Sequence, residues 1–379
     1  MPTAAETLFW LSVALIVYTY AGYPVLLAWL TRPAKQPDED ICYPHLDVLI
    51  AAYNEEASIE AKLINTRALA YPSDRLTITV ITDGSTDRTP DLVREHAGAS
   101  VRLLHRPERQ GKAAALARAL PYLHGEALLF TDANCSLAPD AARLLVRHLS
   151  DLRVGAVSGI KRIRGTESGA ERESLYWRYE GWLKDLDGRF GSVMGAPGEI
   201  WLARRQAYRP PPEDIILEDL YTSMDIVARG WRMCYEPGAV SSEEAAPSLQ
   251  AEWERRSRNA AGGLQCIFRL RQVWHGGART VFQFLSHRVL RWTMAPAAFA
   301  LLPVWTAWLL PSPLYLAFLL LEGAFALAAL AGYVLARNGR STGWLALPLQ
   351  VALLNGAALA GAARLIRGRQ TVLWAKVRD

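Results

Sequence analysis

Cysteine is scarce in these 379 residues: Cys42, Cys135, Cys234 and Cys266 are the whole complement. No two are spaced C-x-x-C and none stands at a His-Cys metal spacing, so a zinc module is excluded and reduced structural thiols are expected. G-x-G-x-x-G is missing after the first strand-like run, and G-x-x-x-x-G-K-[ST] is missing altogether, which removes the main support for a dinucleotide fold or a phosphate loop. Charge is missing locally. None falls between Glu6 and Arg32, and Leu8 to Leu30 within that gap of 25 residues is long enough to cross a bilayer. The stretch is too long for a secretory h-region and lacks a basic n-region and a clear small-residue cleavage site, so it reads as a retained anchor.

Charge persists from Arg32 to Arg291, after which Trp292–Leu310, Pro313–Ala336 and Gly343 to about Ile366 are again apolar. The expectation is about four membrane segments around one soluble domain. The net charge of +5 and pI of about 9.0 would suit nucleic acid, but much of the excess flanks apolar segments: Arg32, Lys35, His287, Arg288, Arg291, Arg364, Arg367, Arg369, Lys376 and Arg378. That placement fits positive-inside flanks, and no nucleic-acid partner is expected. Three late crossings would, however, put the basic tail across the membrane from the central domain. Either Gly343–Ile366 is re-entrant or broken, at Pro348 or at Asn355-Gly356, or the tail violates the charge rule.

Between the apolar ends the chain alternates strand-like and helix-like stretches. "LDVLIAAYNEE", "LTITVITDGSTD", "VRLLHR" and "GEALLFTDAN" read as strands, and "EASIEAKLINTRALA", "DRTPDLVREHAG" and "GKAAALARALPYL" as helices. That order predicts an α/β fold with a mostly parallel, doubly wound sheet, whose ligands bind beyond the carboxyl ends of the strands. Tyr53-Asn54-Glu55, Asp83-Gly84-Ser85 and Asp132-Ala133-Asn134 sit at those ends.

Each cluster has two readings. Asp83 accepts hydrogen bonds from a nucleoside, or merely shapes a turn and cap. Asp132 and Asn134 end a strand, or offer a carboxylate and a neutral oxygen to a hard cation whose shell phosphates and water complete. Glu218-Asp219 precedes a helical pattern, where the helix dipole alone favours acids, yet one carboxylate there could act as a general base. Arg255, Arg256, Arg258 and Lys112 form a solvated basic face, or neutralise a diphosphate. Trp177, Trp182, Trp201, Trp231 and Trp253 offer faces to sugar rings, or pack in the core and at the membrane interface. Glu322 lies inside an apolar span, and position alone gives it no role.

Taken in order, "AAYNEE", "DGSTDRT", "GKAAAL", "TDAN", "GAPGEIWLARR", "ILEDL" and "RRSRNAAGGLQ" resemble the membrane-embedded family 2 glycosyltransferases, the group that includes cellulose, hyaluronan and chitin-oligosaccharide synthases. "LSHRVLRW" at 285–292 is also similar. The resemblance implies a GT-A-type nucleotide-sugar-binding domain with transmembrane helices at both ends. It divides the chain into an anchor at 1–37, a cytoplasmic transferase domain at 38–285 and a membrane region at 286–379 of about three helical segments and a basic tail.

The resemblance also implies roles. Ala51, Tyr53, Glu55 and Asp83 would line the nucleotide pocket, with Lys112 nearby. Asp132 and Asn134 would bind Mg²⁺ or Mn²⁺ and the nucleotide sugar. Asp219 would be the catalytic base, preceded by Glu218, and Gly195 to Gly198 would lie near the acceptor. Arg255, Arg256 and Arg258 occupy the region of the family's Q-x-x-R-W motif, which contacts diphosphate and acceptor. Two positions depart from it: Arg255 replaces the Gln and Asn259 the Trp, so the aromatic platform of a growing chain is missing. The implied function is inverting, metal-dependent transfer of a sugar from a nucleotide diphosphate sugar, UDP-linked by preference, to a lipid-linked or glycan acceptor, with single or few additions. A processive synthase with export and a non-catalytic glycan- or nucleotide-binding scaffold are the alternatives. The implied location is a bacterial inner membrane, in contact with its lipids, with the catalytic domain cytoplasmic.

Overall fold

The computed structural model describes residues 3–32, 42–164 and 168–373. Lys35, Asp38, Lys376, Arg378 and the boundary at 37/38 lie outside the described residues. The chain opens with α1 (Ala4–Val17), a π-helical turn (Tyr18–Gly22) and α2 (Tyr23–Leu30). β1 (Leu46–Ala52), α3 (Ile59–Arg67), β2 (Leu76–Asp83), α4 (Thr89–Glu95), β3 (Val101–Arg106), α5 (Lys112–Ala119) and β4 (Ala127–Asp132) then alternate as the sequence predicts. β5 (Ser136–Leu137), α6 (Ala141–Val146), β6 (Val154–Arg164), α7 (Ser168–Phe190), β7 (Trp201–Arg204), α8 (Glu218–Ala228), β8 (Arg232–Glu244) and α9 (Leu249–Arg269) complete the α/β part.

The eight strands form one sheet in the order β3-β2-β1-β4-β7-β6-β8-β5. β3, β2, β1 and β4 are parallel, and β6 is parallel to β8, while β7 runs antiparallel to β4 and β6. Alternating side chains of β1 serve opposite faces. Val48 and Ile50 pack with Ile59 and Leu63 of α3, Val93 of α4 and Leu145 of α6, whereas Leu49 joins Leu116 of α5, Met224 of α8 and Leu264 of α9. Helices therefore cover both faces, and the ends of β1, β2 and β4 open onto one edge of the sheet. Asp47 is tolerated inside β1 because its carboxylate accepts the N–H groups of His124 and Gly125, at 2.9 and 2.6 Å.

Beyond α9 the chain forms α10 (Ala278–Gln283), a second π-helical turn (Phe284–Val289), α11 (Leu290–Trp292), α12 (Met294–Trp308), α13 (Pro313–Arg337) and α14 (Ala346–Ile366). The two π turns meet, with Tyr18 and Ser286 hydroxyls 2.8 Å apart. Asp187 of α7 ties the same region together, accepting from Tyr23 at 2.5 Å and pairing with His287 Nδ1 at 2.5 Å. α12 and α13 form an antiparallel hairpin, joined by the Phe299–Phe325 ring contact and by the Thr306 hydroxyl donating to Glu322 at 2.8 Å. Phe9 of α1 packs edge-on against Tyr315 and Phe318 of α13.

The expected number of spans needs correction. Among the described residues three helical stretches are on their own long and apolar enough to cross a membrane, Ala4–Leu30, Pro313–Arg337 and Gly343–Ile366; α12 alone has 15 residues and reaches about 22 Å, short of the ~30 Å hydrocarbon core. The third of these is also partly committed to protein, and it is the most buried of the three. α14 runs unbroken through Asn355-Gly356 and lies along α9, where a Cβ on Gly361 would stand 2.5 Å from the Ser257 carbonyl oxygen, and one on Gly356 3.2 Å from the Trp253 ring. Arg364 pairs with Glu254 at 2.9 Å. Small residues let the two backbones approach, which hydropathy cannot distinguish from a lipid-facing surface. Gly361→Leu should force α14 off α9 and lower stability by about 2 kcal/mol, seen as a fall in Tm of the detergent-solubilised protein. Gly323→Leu, with nothing within 4 Å of its Cβ, should leave Tm unchanged.

Candidate active site

A cavity of about 1000 Å³ lies beyond the ends of β1 and β4. Ala51, Tyr53, Glu55, Lys112, Asp132, Asn134, Gly195, Gly198, Glu218, Asp219, Arg255, Arg256 and Arg258 all line it. Asp83 does not: it is fully buried, and one carboxylate oxygen accepts the N–H groups of Gln110 at 3.0 Å and Gly111 at 2.7 Å. The turn at Gly111, with φ +100°, leads directly into α5, so Asp83 orients the first residue of that helix, Lys112.

The loops after β1 and β2 are laced together. Asn54, at φ 54°, accepts the Thr86 N–H at 2.8 Å, Ser85 accepts the Asn54 N–H at 3.1 Å, and Thr89 accepts the Glu55 N–H at 2.8 Å. Tyr53 projects from this platform with the Arg109 guanidinium 3.5 Å above its ring.

Four polar groups converge at the cavity floor. The Lys112 ammonium donates to Asp132 Oδ1 at 2.7 Å and lies 2.8 Å from Glu218 Oε1. A Cβ on Gly198 would stand 3.2 Å from Asp219 Oδ2, 3.3 Å from Lys112 Nζ and 3.6 Å from Asp132 Oδ2, so the missing side chain leaves the centre of this cluster open. Glu218 and Asp219 are the first two residues of α8, where the dipole favours acids as expected. Burial would lower the Lys112 pKa, but the carboxylates of Asp132, Glu218 and Asp219 outweigh it and hold the ammonium well above the usual lysine value. Burial and the Glu218 charge push the Asp219 carboxyl up to about 7, against the opposing pull of Lys112. A proton acceptor poised near neutral pH thus faces open space beside a fixed cation.

Among the described residues no group of three or more His, Cys, Asp or Glu could by itself hold a metal. The donor set at β4 nevertheless fits a hard cation. Asp132 gives one oxygen to Lys112 and leaves the other beside Gly198, and Asn134 adds an amide on the same cavity wall. One carboxylate suffices for Mg²⁺ when substrate phosphates and water fill the remaining positions.

Residues 47–210 match the profile of Glycosyl transferase family 2. That segment is a family 2 glycosyltransferase domain by this match. A poly-β-1,6-N-acetyl-D-glucosamine synthase of Staphylococcus aureus is 29% identical over 243 residues, 62% of this chain and 58% of that protein. A β-monoglucosyldiacylglycerol synthase of Nostoc sp. is 29% identical over 258 residues, 65% of this chain and 55% of that protein. The chain thus spans less than two thirds of the length of these relatives. A mannosyltransferase from Pyrobaculum calidifontis, solved with GDP-Man and Mn²⁺, superposes with a TM-score of 0.76 at 24% identity, covering 96% of this chain and all of that one, which establishes a shared GT-A-type fold. The family match ends before Glu218-Asp219 and α9, so the transferase cavity is completed by residues beyond it.

Several lining residues escape sequence reasoning. Lys161 of β6 bridges Glu199 and, at 2.7 Å, Glu243, which also holds Arg255 at 3.4 Å; Lys161 holds the Glu199 carboxyl at about 2 despite its burial. Glu180, Lys184, Arg288 and Arg291 also line the cavity. The two arginines fall within "LSHRVLRW"; the partners on α7 carry no local signal. Of the tryptophans, Trp177 lines the cavity, Trp201 stacks on Phe130 in the core at 4.2 Å, and Trp253 abuts α14.

Lys112→Met leaves Asp132 and Glu218 facing each other without a cation. Stability at pH 7 should fall by about 2 kcal/mol, less than the ~3–5 kcal/mol of a fully buried pair because the Lys112 and Asp132 side chains keep 21% and 31% exposure. With its pKa raised, Lys112 contributes fully at neutral pH and below, and its contribution is lost only as pH rises past the ordinary lysine range. Urea unfolding at pH 7 checks the loss.

Proposed function

We propose that the chain transfers a sugar from a nucleotide diphosphate sugar, UDP-linked by first choice, to a hydroxyl of a membrane-associated acceptor, with inversion and with single or few additions. The observation that carries this reading is Asp219, raised to about 7 beside Gly198 in the one cavity that also holds Tyr53, Lys112 and Arg258. Tyr53, Ala51 and Glu55 receive the nucleoside. Asp219 removes the acceptor proton as the hydroxyl oxygen bonds to the anomeric carbon and the bond from that carbon to the diphosphate breaks. Arg258, whose guanidinium donates to the Ile216 and Val372 carbonyls at 3.0 and 3.3 Å, stands ready for the departing diphosphate. Arg256 is more committed, to Glu252 at 2.9 Å and to the Tyr176 ring. Asp132, with Asn134, would hold Mg²⁺ or Mn²⁺, and the bound cation supplies positive charge to the leaving diphosphate. The Mn²⁺ and GDP-Man of the Pyrobaculum mannosyltransferase support a metal and make GDP-mannose the second donor to test.

The packing of α14 supports a membrane arrangement that the sequence left unresolved. With α1–α2 and α13 in the bilayer, α12 completing its crossing together with α11 (Leu290–Trp308, about 28 Å), and α14 against the transferase domain, Arg364, Arg367 and Arg369 line the cavity and stay on its side of the membrane. Positive-inside flanks then support a cytoplasmic 38–285 domain between the 1–37 anchor and the 286–379 membrane region. The substituted arginine motif, with Arg255 bound to Glu243 and Asn259 in the aromatic position, supports few additions. Long polymer made by purified protein from radiolabelled donor would overturn that choice and favour the synthase reading.

Asp219→Asn should reduce transfer at least about a thousandfold while UDP still binds in calorimetry; turnover near wild type would refute the assignment. In the wild type kcat/KM should rise with pH through a midpoint near 7, because only the carboxylate form accepts the proton, and Lys112→Met should move the midpoint upward by removing a charge that favours that form. Asp132→Ala should lose metal-dependent transfer and weaken Mn²⁺ binding read by electron paramagnetic resonance, whereas Asn134→Asp should retain both. Full activity of Asp132→Ala, or activity surviving exhaustive chelation, would remove the metal from the account.

A further inference from the structure

Gly198 stands beside Lys112, Asp132 and Asp219, whereas Gly195 stands beside Arg288, and the cavity extends past it. Its wall includes Tyr20 of the N-terminal apolar segment and Leu354, Ala357 and Ala358 of α14, residues from two stretches of membrane-spanning length and composition. The aliphatic side chains of α14 there offer no group that binds a sugar hydroxyl, and the Tyr20 hydroxyl donates to Asn355 at 2.8 Å. Such a surface suits a hydrocarbon chain.

Two cations line the cavity near Gly195 and Asp219. Lys184 of α7 is 5% exposed and donates one long hydrogen bond, 3.4 Å to the Ser158 hydroxyl. Arg288 donates through Nε to the Met194 carbonyl, brings a terminal nitrogen to 3.0 Å from where a Gly195 Cβ would lie, and lies 5.2 Å from the Trp292 ring. Among the described residues neither has a carboxylate within 4 Å, whereas Lys112, Lys161, Arg255 and Arg291 each do. The acids nearest Lys184 are Glu180, Glu199 and Asp219; Glu180 is already paired with Arg291 and Glu199 with Lys161. Burial lowers the Lys184 pKa to about 8, the expected result of keeping an ammonium dry without its own counterion. An anion delivered by a ligand would supply that counterion. Asp219, which needs a hydroxyl to deprotonate, lies alongside.

We propose that this end of the cavity binds a phosphorylated lipid as the acceptor, with its chain against Tyr20 and α14, its phosphate on Lys184 and Arg288, and its free hydroxyl at Asp219. The hydroxyl assignment rests on the glycosyl-transfer reading; the phosphate and chain assignments do not. In the transfer, the lipid hydroxyl oxygen bonds to the anomeric carbon, its proton goes to Asp219, and the carbon–oxygen bond to the nucleoside diphosphate breaks with the electron pair leaving on the diphosphate.

The test measures binding by calorimetry on the full chain in maltoside micelles without donor. Dihexanoyl-phosphatidylglycerol, dihexanoylglycerol and inorganic phosphate are the probes. The phosphorylated lipid should bind at least about tenfold tighter than the neutral one, the scale of one charge-assisted hydrogen bond, and tighter than inorganic phosphate. Lys184→Met and Arg288→Gln should each weaken the phosphorylated lipid about tenfold with little change for the neutral one, and Lys184→Arg should restore it. Equal binding of the two lipids by wild-type protein, or an undiminished preference in Lys184→Met, would overturn the phosphate assignment. Inorganic phosphate binding as tightly as the phosphorylated lipid would overturn the lipid assignment. Because no donor is present, failure of the sugar-transfer reading would appear separately, as unaltered turnover in Asp219→Asn.

Discussion

A single ammonium held between two carboxylates determines what the rest of the cavity can be. Lys112 begins α5, Asp132 ends β4 and Glu218 begins α8, so three segments far apart in sequence are pinned to one point. The balance of charge there is deliberately incomplete in a physical sense: three acids surround one lysine. Lys112 is shared by Asp132 and Glu218, and Asp219 lies in the field of its neighbour Glu218, which is why burial can lift its pKa to about 7. The contact that stabilises the floor therefore also adjusts its most reactive carboxyl. Gly198 keeps the space above it clear, since any side chain would enter the middle of the cluster.

Asp83 acts one step further back. Its carboxylate looks like a ligand-binding group in sequence, and in the structure it is spent on the Gln110 and Gly111 amides. Those bonds shape the turn from which α5 starts, and α5 aims Lys112. A polar motif at a strand end can thus serve a site without touching the cavity. The same logic applies to the loops after β1 and β2, where Asn54, Ser85, Thr86 and Thr89 exchange hydrogen bonds and hold Tyr53 in place.

The parallel half of the sheet was legible because each of its strands is a buried apolar run followed by a polar end, a pattern that needs no distant partner. β5 to β8 were not. Their pairing joins segments more than thirty residues apart, and short strands such as Ser136–Leu137 carry no period of their own. Glu218-Asp219 was legible as a helix start, though its link to Lys112 required the fold. Lys184 and Arg288 were invisible as a pair, because what marks them is that among the described residues no carboxylate lies within 4 Å, a property of three dimensions. The packing of α14 on α9 was illegible for a related reason. Hydropathy measures how well a helix leaves water, and the surface of α9 satisfies its Gly356 and Gly361 face as well as lipid would.

That last point links membrane and chemistry. Were α14 a free crossing helix, the cavity would lose Leu354, Ala357 and Ala358 from its wall and the arginines that follow them. Docked on α9, it lines the cavity that holds Asp219 with apolar surface, and the segment after it brings the Val372 carbonyl to Arg258. The cavity then has two chemically distinct ends joined at Gly195 to Gly198: a polar one under Tyr53 and Lys112, and an apolar one guarded by Lys184 and Arg288. A substrate that fills both must be water-soluble at one end and lipid-like at the other, or be two molecules meeting at Asp219. The second arrangement is the one a transfer reaction requires.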